Sequence, residues 1–265
     1  MPCLFDHQNE EERERLASIE KAIPFTSYWL DQIGVAAGWH CLEVGAGKGS
    51  IAEWVCGRVG PTGKVVAIDL QIELLQEINA PNLEVRQHDI TKDELETDQY
   101  DLVYARKLLE HLPDHASVLG RMHAATKPGG YLYMEDSDLV SFLRVSGPNP
   151  DRFEHAYLKF VEAMASAGFQ PELGVQLGDQ LRGLGLQDVQ VAAMSGEWNA
   201  AGDNPVGKVY LMTFRRIRER VTEAGLLTDE EVDAFFAQIQ SPDFHAMTGI
   251  HCFAWGRKPN NTNAV

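Results

Sequence analysis

The sequence predicts an α/β fold: a mostly parallel sheet with helices on both of its faces. Three observations predict it. From Trp39 to Glu135 short apolar runs alternate with helical stretches, the rhythm of parallel strands joined by crossover helices. Within the runs successive residues are apolar, as in Val65-Val66-Ala67-Ile68, which suits strands covered on both sides. The balance of 44 % hydrophobic and 23 % charged residues is that of an ordinary globular chain able to bury a sizeable core.

Residues 10 to 23 are charged, with Leu16, Ile19 and Ile23 at helical spacing, and Pro24 breaks or restarts that helix. A second short helix carries Phe25, Tyr28, Trp29 and Ile33 before Gly34 ends it. Cys41 to Val44 is a strand running into glycines, Ile51 to Val59 a helix, and Lys64 to Asp69 contains the next strand. Gln71 to Ile78 is expected to be helical, Leu83 to Gln87 and Tyr100 to Ala105 are strands, and Asp114 to Thr126 is a helix. Pro128-Gly129-Gly130 turns into a strand from Tyr131 to Glu135. Residues 137 to 150 read as a loop, punctuated by Gly147-Pro148-Asn149-Pro150. Asp151 to Ala167 is an amphipathic helix with Phe153, Tyr157, Phe160 and Met164 on one stripe, stopped by Gly168. Residues 175 to 184 read as helix and Val189 to Met194 as strand. Pro205 to Glu223 and Thr228 to Gln240 form a helical hairpin, the second helix opened by a Thr228/Glu231 capping box. Gly249 to Gly256 is a last strand, and the Pro-Asn-Asn-Thr-Asn tail is expected to be disordered.

A formal charge of -16 disfavours nucleic-acid substrates, because such binders draw affinity from lysine and arginine. The one basic cluster, Arg215, Arg216, Arg218 and Arg220, is followed by acids. Cys3, Cys41, Cys56 and Cys252 show no metal-ligand spacing and read as reduced thiols of a cytoplasmic protein. The Glu-rich start after Met1-Pro2-Cys3-Leu4 is unlike a signal peptide. No apolar run reaches the roughly 18 residues that span a bilayer.

The most informative stretch is Leu42-Glu43-Val44-Gly45-Ala46-Gly47-Lys48-Gly49-Ser50-Ile51, a strand, a glycine turn and a helix start in succession. Glycines there let the backbone approach a ligand, and free N–H groups at the helix start face it. The glycine spacing, at 45, 47 and 49, departs from that of a dinucleotide-binding loop, and Glu43 would repel a pyrophosphate. The acid can receive a cationic ligand or fix the loop by accepting backbone N–H bonds. S-adenosyl-L-methionine, with an ammonium, a sulfonium and no phosphate, fits it. Asp69 ends the second strand where a carboxylate would hold ribose hydroxyls, and Asp89-Ile90 after the third can meet an adenine.

Residues 39 to 135 resemble the class I S-adenosylmethionine-dependent methyltransferases, in particular the bacterial small-molecule branch that includes the quinone-pathway enzymes. The motifs are Glu43 to Gly49, Asp69, Asp89, Tyr100 to Arg106, Leu109-Glu110-His111-Leu112 and Lys127-Pro128-Gly129-Gly130-Tyr131. Ile250 to Arg257 is similar to the family's last strand. The resemblance implies a Rossmann-like seven-stranded sheet, the first strand central and the last antiparallel, with an added helical cap. It implies cofactor contacts from Glu43, Gly45, Ala46, Gly47 and Ser50, from Asp69 and Leu70, from Asp89 and Ile90, and from Ala105 and Arg106. Lys48, where small residues are common, is expected to point to solvent. The division expected is a helical lid (1–36), a cofactor-binding core (37–136) and a helical cap insertion (137–184). The core then resumes (185–258) around a hairpin insertion (204–240), and a tail follows (259–265).

Methyl transfer is a displacement at an already activated carbon, so proximity can supply most of the acceleration and a base is needed only for some acceptors. His111 is the candidate base, with a structural role as its alternative; Tyr28 is the second catalytic candidate. Metal binding by Glu110 to His115, or by Glu135, Asp136 and Asp138, is disfavoured. Phe25, Tyr28, Trp29, Phe142, Phe153, Tyr157, Phe160, Trp198, Tyr210, Phe214, Phe235 and Phe236 suggest a cap over an aromatic or apolar metabolite. The same residues also suit the core of a larger cap or a homodimer surface. The expected function is methyl transfer to O, N or C of such a small molecule. The alternatives are a nicotinamide-dependent oxidoreductase and a cofactor-binding protein of this fold, cyclase or regulator, without methyl transfer.

Overall fold

The computed structural model describes residues 10–22 and 25–260. Cys3, Ile23, Pro24 and the end of the tail lie outside the described residues. Contacts divide the chain into two units. One comprises Pro24–Asp136, Leu173–Ala193 and Cys252–Val265; the other comprises Met1–Ile23, Ser137–Glu172 and Met194–His251.

In the first unit, α2 (Thr26–Ile33) precedes β1 (His40–Val44), α3 (Ser50–Val59), β2 (Lys64–Asp69) and β3 (Leu83–Gln87). Then come β4 (Tyr100–Arg106), α4 (His115–Ala125), the start of β5 (Thr126–Ser146), α6 (Leu173–Gly183) and β6 (Gln187–Met194). β7 (His245–Arg257) closes the seven-stranded sheet, of order β3-β2-β1-β4-β5-β7-β6. The pairs β1–β2, β1–β4, β2–β3 and β4–β5 are parallel. Gly129 N–H donates to Lys258 O at 2.8 Å and Lys258 N–H to Gly130 O at 2.9 Å, so two residues of β5 face one residue just past β7, the pattern of a bulged antiparallel pair. The middle place, expected for β1, belongs to β4, because three strands lie on either side of it. Strand order reverses between β1 and β4, where open α/β sheets leave a crevice at the carboxyl ends.

Parallel strands buried on both faces explain the continuous apolar runs: Val65, Val66, Ala67 and Ile68 are all buried. Ile51, Ala52, Val55, Cys56 and Val59 form the buried stripe of α3. Asp114 caps α4 by accepting the Ser117 N–H at 3.3 Å. The helix expected over Gln71 to Ile78 reduces to one 3₁₀ turn, Leu75–Glu77. The Gln76 N–H reaches Ile72 O four residues back at 3.0 Å, but the bonds at Glu77 and Ile78 tighten to residues three back, so the α-helical run does not continue.

The second unit holds α1 (Glu10–Ala22), α5 (Pro150–Ser166), α7 (Pro205–Arg216), α8 (Arg218–Glu223) and α9 (Asp229–Ile239). The long helix expected to Glu223 breaks at Ile217, whose φ of -101° and ψ of 9° end α7. Phe153, Tyr157, Phe160, Trp198, Phe214, Phe235, Phe236 and Phe244 form one core cluster here. Ring centroids lie 4.8 Å apart for Phe160–Phe214 and 5.5 Å for Phe153–Phe235, within the range of favourable aromatic pairs. These rings therefore pack against one another as a core. The segment 137–150, expected as a loop, continues β5 to Ser146. Leu139, Leu143 and Val145 alternate onto that core, and buried Asp138 is satisfied by the Val140 and Ser141 N–H groups and the Ser141 hydroxyl.

Candidate functional site

The glycine loop leaves β1 at the point where strand order reverses. Gly45, Gly47 and Gly49 have φ of 71°, 57° and 76°, the left-handed region that side chains avoid. A Cβ on Gly45 would meet Leu108 Cδ1 at 2.9 Å, and one on Gly49 would clash with Ile78 Cδ1. At Gly47 nothing lies within 4 Å, so the middle of the loop borders open space. The Gly45 and Ala46 N–H groups donate to Ile68 O at 2.9 and 3.1 Å, anchoring the turn on β2.

Two carboxylates meet this loop. Asp69 accepts the Gly47 N–H at 2.8 Å on one oxygen and the Gln71 N–H at 3.0 Å on the other. Glu43 is 3 % exposed and accepts a hydrogen bond from the Tyr104 hydroxyl at 3.2 Å. Burial pushes the Glu43 carboxyl up to about 8, against the opposing pull of the Arg106 charge and the Tyr104 hydroxyl. Glu43 is buried at the loop's base, where the Ala52 backbone N–H also reaches it, and Asp69 ties the middle of the loop.

The remaining predicted contacts lie along the carboxyl edge. Leu70 is 52 % exposed immediately beyond Asp69, and Ile90 is buried. Asp89 is held down to about 2 by hydrogen bonds from Lys92 and Thr91. Ala105 pairs in register with Val44, and Arg106 Nη2 donates to Ser50 Oγ at 3.4 Å. Lys48 has partners of its own, so its expected exposure to solvent does not describe it fully.

His111 closes a 3₁₀ turn, Leu109–His111, beyond β4, with Nε2 at 3.7 Å from Glu110 Oε1. Glu110 is buried, and its N–H donates to Asp136 Oδ1 at 3.3 Å. Burial, reinforced by repulsion from Glu110, raises the Asp136 carboxyl well above the ordinary range. Lys107 has a φ of 54°, a left-handed residue without a glycine's freedom, and its N–H donates to Glu135 O at 2.6 Å. Tyr28 stands half exposed on α2, its ring 4.9 Å from that of Trp29. Among the described residues no group of three or more His, Cys, Asp or Glu side chains is placed to hold a metal ion.

The sequence did not single out Tyr104, Leu108 or Thr26, and it weighed Glu135 only within a disfavoured metal group. Tyr104 meets Glu43 through the β1–β4 register, which no local pattern gives. Thr26 donating to Glu135 joins segments too far apart for any local pattern to connect.

The family model described as methyltransferase domain matches residues 7–231. A ubiquinone biosynthesis O-methyltransferase of Ralstonia nicotianae is 29 % identical over 208 residues, covering 73 % of this chain and 83 % of that protein. An uncharacterized 37.1 kDa protein in transposon TN4556 of Streptomyces fradiae is 29 % identical over 130 residues, 47 % of this chain, and the chain covers only 38 % of its length. Among solved structures, a phosphoethanolamine N-methyltransferase 2 of Haemonchus contortus in complex with S-adenosylhomocysteine superposes with a TM-score of 0.60 at 17 % identity. That alignment covers 98 % of this chain and 61 % of the Haemonchus chain, and shows the shared fold.

Proposed function

The chain belongs to the methyltransferase-domain family of S-adenosylmethionine-dependent enzymes, and from that premise we propose that it methylates a hydroxyl on a small, ring-bearing metabolite. The observation that carries the cofactor half of this reading is the convergence of Glu43, the open Gly47 and Asp69 where strand order reverses. A buried acid, a part-buried acid and a loop open at its middle glycine are the groups that a cationic nucleoside without phosphate requires.

Glu43 and the loop backbone at Gly45, Ala46 and Gly47 hold the methionyl end, with Ser50 and Arg106 beside them and the backbone of Ala105 facing the amine. Asp69 takes the ribose hydroxyls, Asp89 and Ile90 the adenine, and Leu70 covers it. Bound S-adenosylmethionine supplies a methyl group on a sulfonium sulfur, activated for displacement. The protein then has to orient the acceptor and dispose of its proton. His111 Nε2, 3.7 Å from Glu110 Oε1, accepts that proton. Tyr28 and Phe25, 51 % and 36 % exposed, offer an aromatic surface to an apolar ring. An oxygen acceptor is chosen because the Ralstonia relative bears the name of an O-methyltransferase.

The acidic charge of -16 supports a small-molecule substrate over a nucleic acid, and a cytoplasmic setting accords with the free thiols of Cys41 and Cys56. Among the described residues no helix is long and apolar enough to cross a membrane.

The test is incubation with S-adenosylmethionine and a panel of mono- and dihydroxylated aromatic acids, with mass spectrometry for O-methylated product and S-adenosylhomocysteine. Product from the wild type, and a rate at least about a hundredfold lower from His111→Ala, supports the reading. Turnover only of amines, or an undiminished rate in the His111 variant, overturns the acceptor or the base respectively.

A further inference from the structure

Parallel register sets a row of polar side chains across the middle of the sheet. Glu43 on β1 faces Tyr104 on β4, Tyr104 faces Tyr133 on β5, and Arg106 faces Glu135. Register partners, and residues two apart on a strand, share a face, so all five stand on the same side of the sheet. At one end of the row lies Glu43, under the glycine loop. At the other end Glu135 Oε2 accepts from Tyr133 Oη at 3.0 Å and from Thr26 Oγ1 at 2.8 Å. The Arg106 charge stabilises both terminal carboxylates.

Thr26 is the first residue of α2, and both it and Glu135 are fully buried. An eight-residue helix has too few turns to be stable by itself, so its placement must come from tertiary contacts. Leu30 and Ile33 bury without directional preference, and the Trp29 ring rests 5.3 Å from Trp255 and 5.7 Å from Phe253. Asp31 pairs with Arg58 of α3 on the exposed side. The directional, buried contact is Thr26 to Glu135. An apolar pair would seat a helix at lower cost than a buried carboxylate whose second oxygen, Oε1, has no hydrogen-bond partner. The acid at this position is therefore explained by what it fixes at the carboxyl edge.

We infer that Glu135 is a positioning residue, which seats α2 through Thr26 and thereby fixes Tyr28 at the acceptor side of the site without touching the cofactor. The inference rests on the reading of Tyr28 as an acceptor-facing residue. Thr26→Val keeps the shape and removes the donor, Thr26→Ser keeps the donor, and Glu135→Leu removes the acceptor. Each is compared with wild type by hydrogen exchange of the α2 amides and by calorimetric titration with S-adenosylhomocysteine. The expected result is exchange in Thr26–Ile33 faster by about tenfold or more in Thr26→Val and Glu135→Leu, with wild-type exchange restored in Thr26→Ser. S-adenosylhomocysteine affinity stays within about threefold of wild type in all three. Unchanged α2 exchange in folded Thr26→Val overturns the seat. Affinity that falls in step with loosening, or a Thr26→Val chain that fails to fold while Thr26→Ser folds, overturns the positioning role in favour of a general structural one. Failure of the wild type itself to bind S-adenosylhomocysteine counts against the cofactor reading and leaves the α2 exchange result to decide the seat.

Discussion

Replacing Glu43 by glutamine should change stability in a way that depends on pH. The carboxyl is raised from 4.5 to about 8 chiefly by burial, so the folded protein keeps its proton where the unfolded chain has lost it. Below pH 4.5 both states are protonated and the variant, an isostere still able to accept from the Tyr104 hydroxyl, should match the wild type. As pH rises toward 8 the unfolded wild type gains by ionising, and the wild type loses stability relative to the variant. At about 1.4 kcal/mol for each pH unit, the span from 4.5 to about 8 amounts to about 5 kcal/mol, with a plateau above it. Urea unfolding of both cofactor-free proteins across this range measures the difference directly, and subtraction removes the other buried acids, Glu135 and Asp136. Parallel stability curves, with a constant difference at all pH values, would mean that Glu43 is already ionised in the folded protein. The reasoning from burial would then be refuted. A cation bound beside Glu43 should also expel its proton, visible as a dependence of the calorimetric heat on the buffer's ionisation enthalpy.

Three further outcomes are expected. Gly49→Ala forces a side chain into a φ of 76° and against Ile78 Cδ1, and should destabilise by about 1–3 kcal/mol in urea unfolding; a loss under about 0.5 kcal/mol contradicts the loop geometry. Phe153→Ala empties a fully buried site among Tyr157, Trp198, Phe235 and Phe244 and should cost about 3–5 kcal/mol, whereas a ring lining a pocket would cost far less. Thr228→Ala removes the capping box of α9 and should cost about 1 kcal/mol, with Thr228→Ser close to wild type.

The sheet was legible because its signals are local. Buried parallel strands announce themselves as apolar runs, and the glycines at 45, 47 and 49 lie in the conformations that require glycine. The capping box at Thr228 and Glu231 was legible for the same reason, as both partners sit within one turn. Extensions across long range were not. The alternation of Leu139, Leu143 and Val145 was present, but Asp138 and the Gly147-Pro148 punctuation masked it, and only the aromatic core makes β5 continue. Periodicity over Gln71 to Ile78 was real and gave a single turn, since the bonds at Glu77 and Ile78 close three residues back. In the site, the acids were legible by position at strand ends. Their partners, Tyr104 for Glu43 and Thr26 for Glu135, depend on strand register and on a helix distant in sequence.

The central claim is a cofactor cradle built from Glu43, Gly47 and Asp69, and calorimetric titration with S-adenosylhomocysteine tests it most directly. Gly47→Arg places a side chain where nothing lies within 4 Å, and Asp69→Ala removes the acid that meets the loop at 2.8 Å. The account predicts saturable binding by the wild type in the micromolar range and none by either variant, with both variants folded by circular dichroism. Folded wild-type protein that gives no saturable heat, or variants that bind as the wild type does, would contradict it.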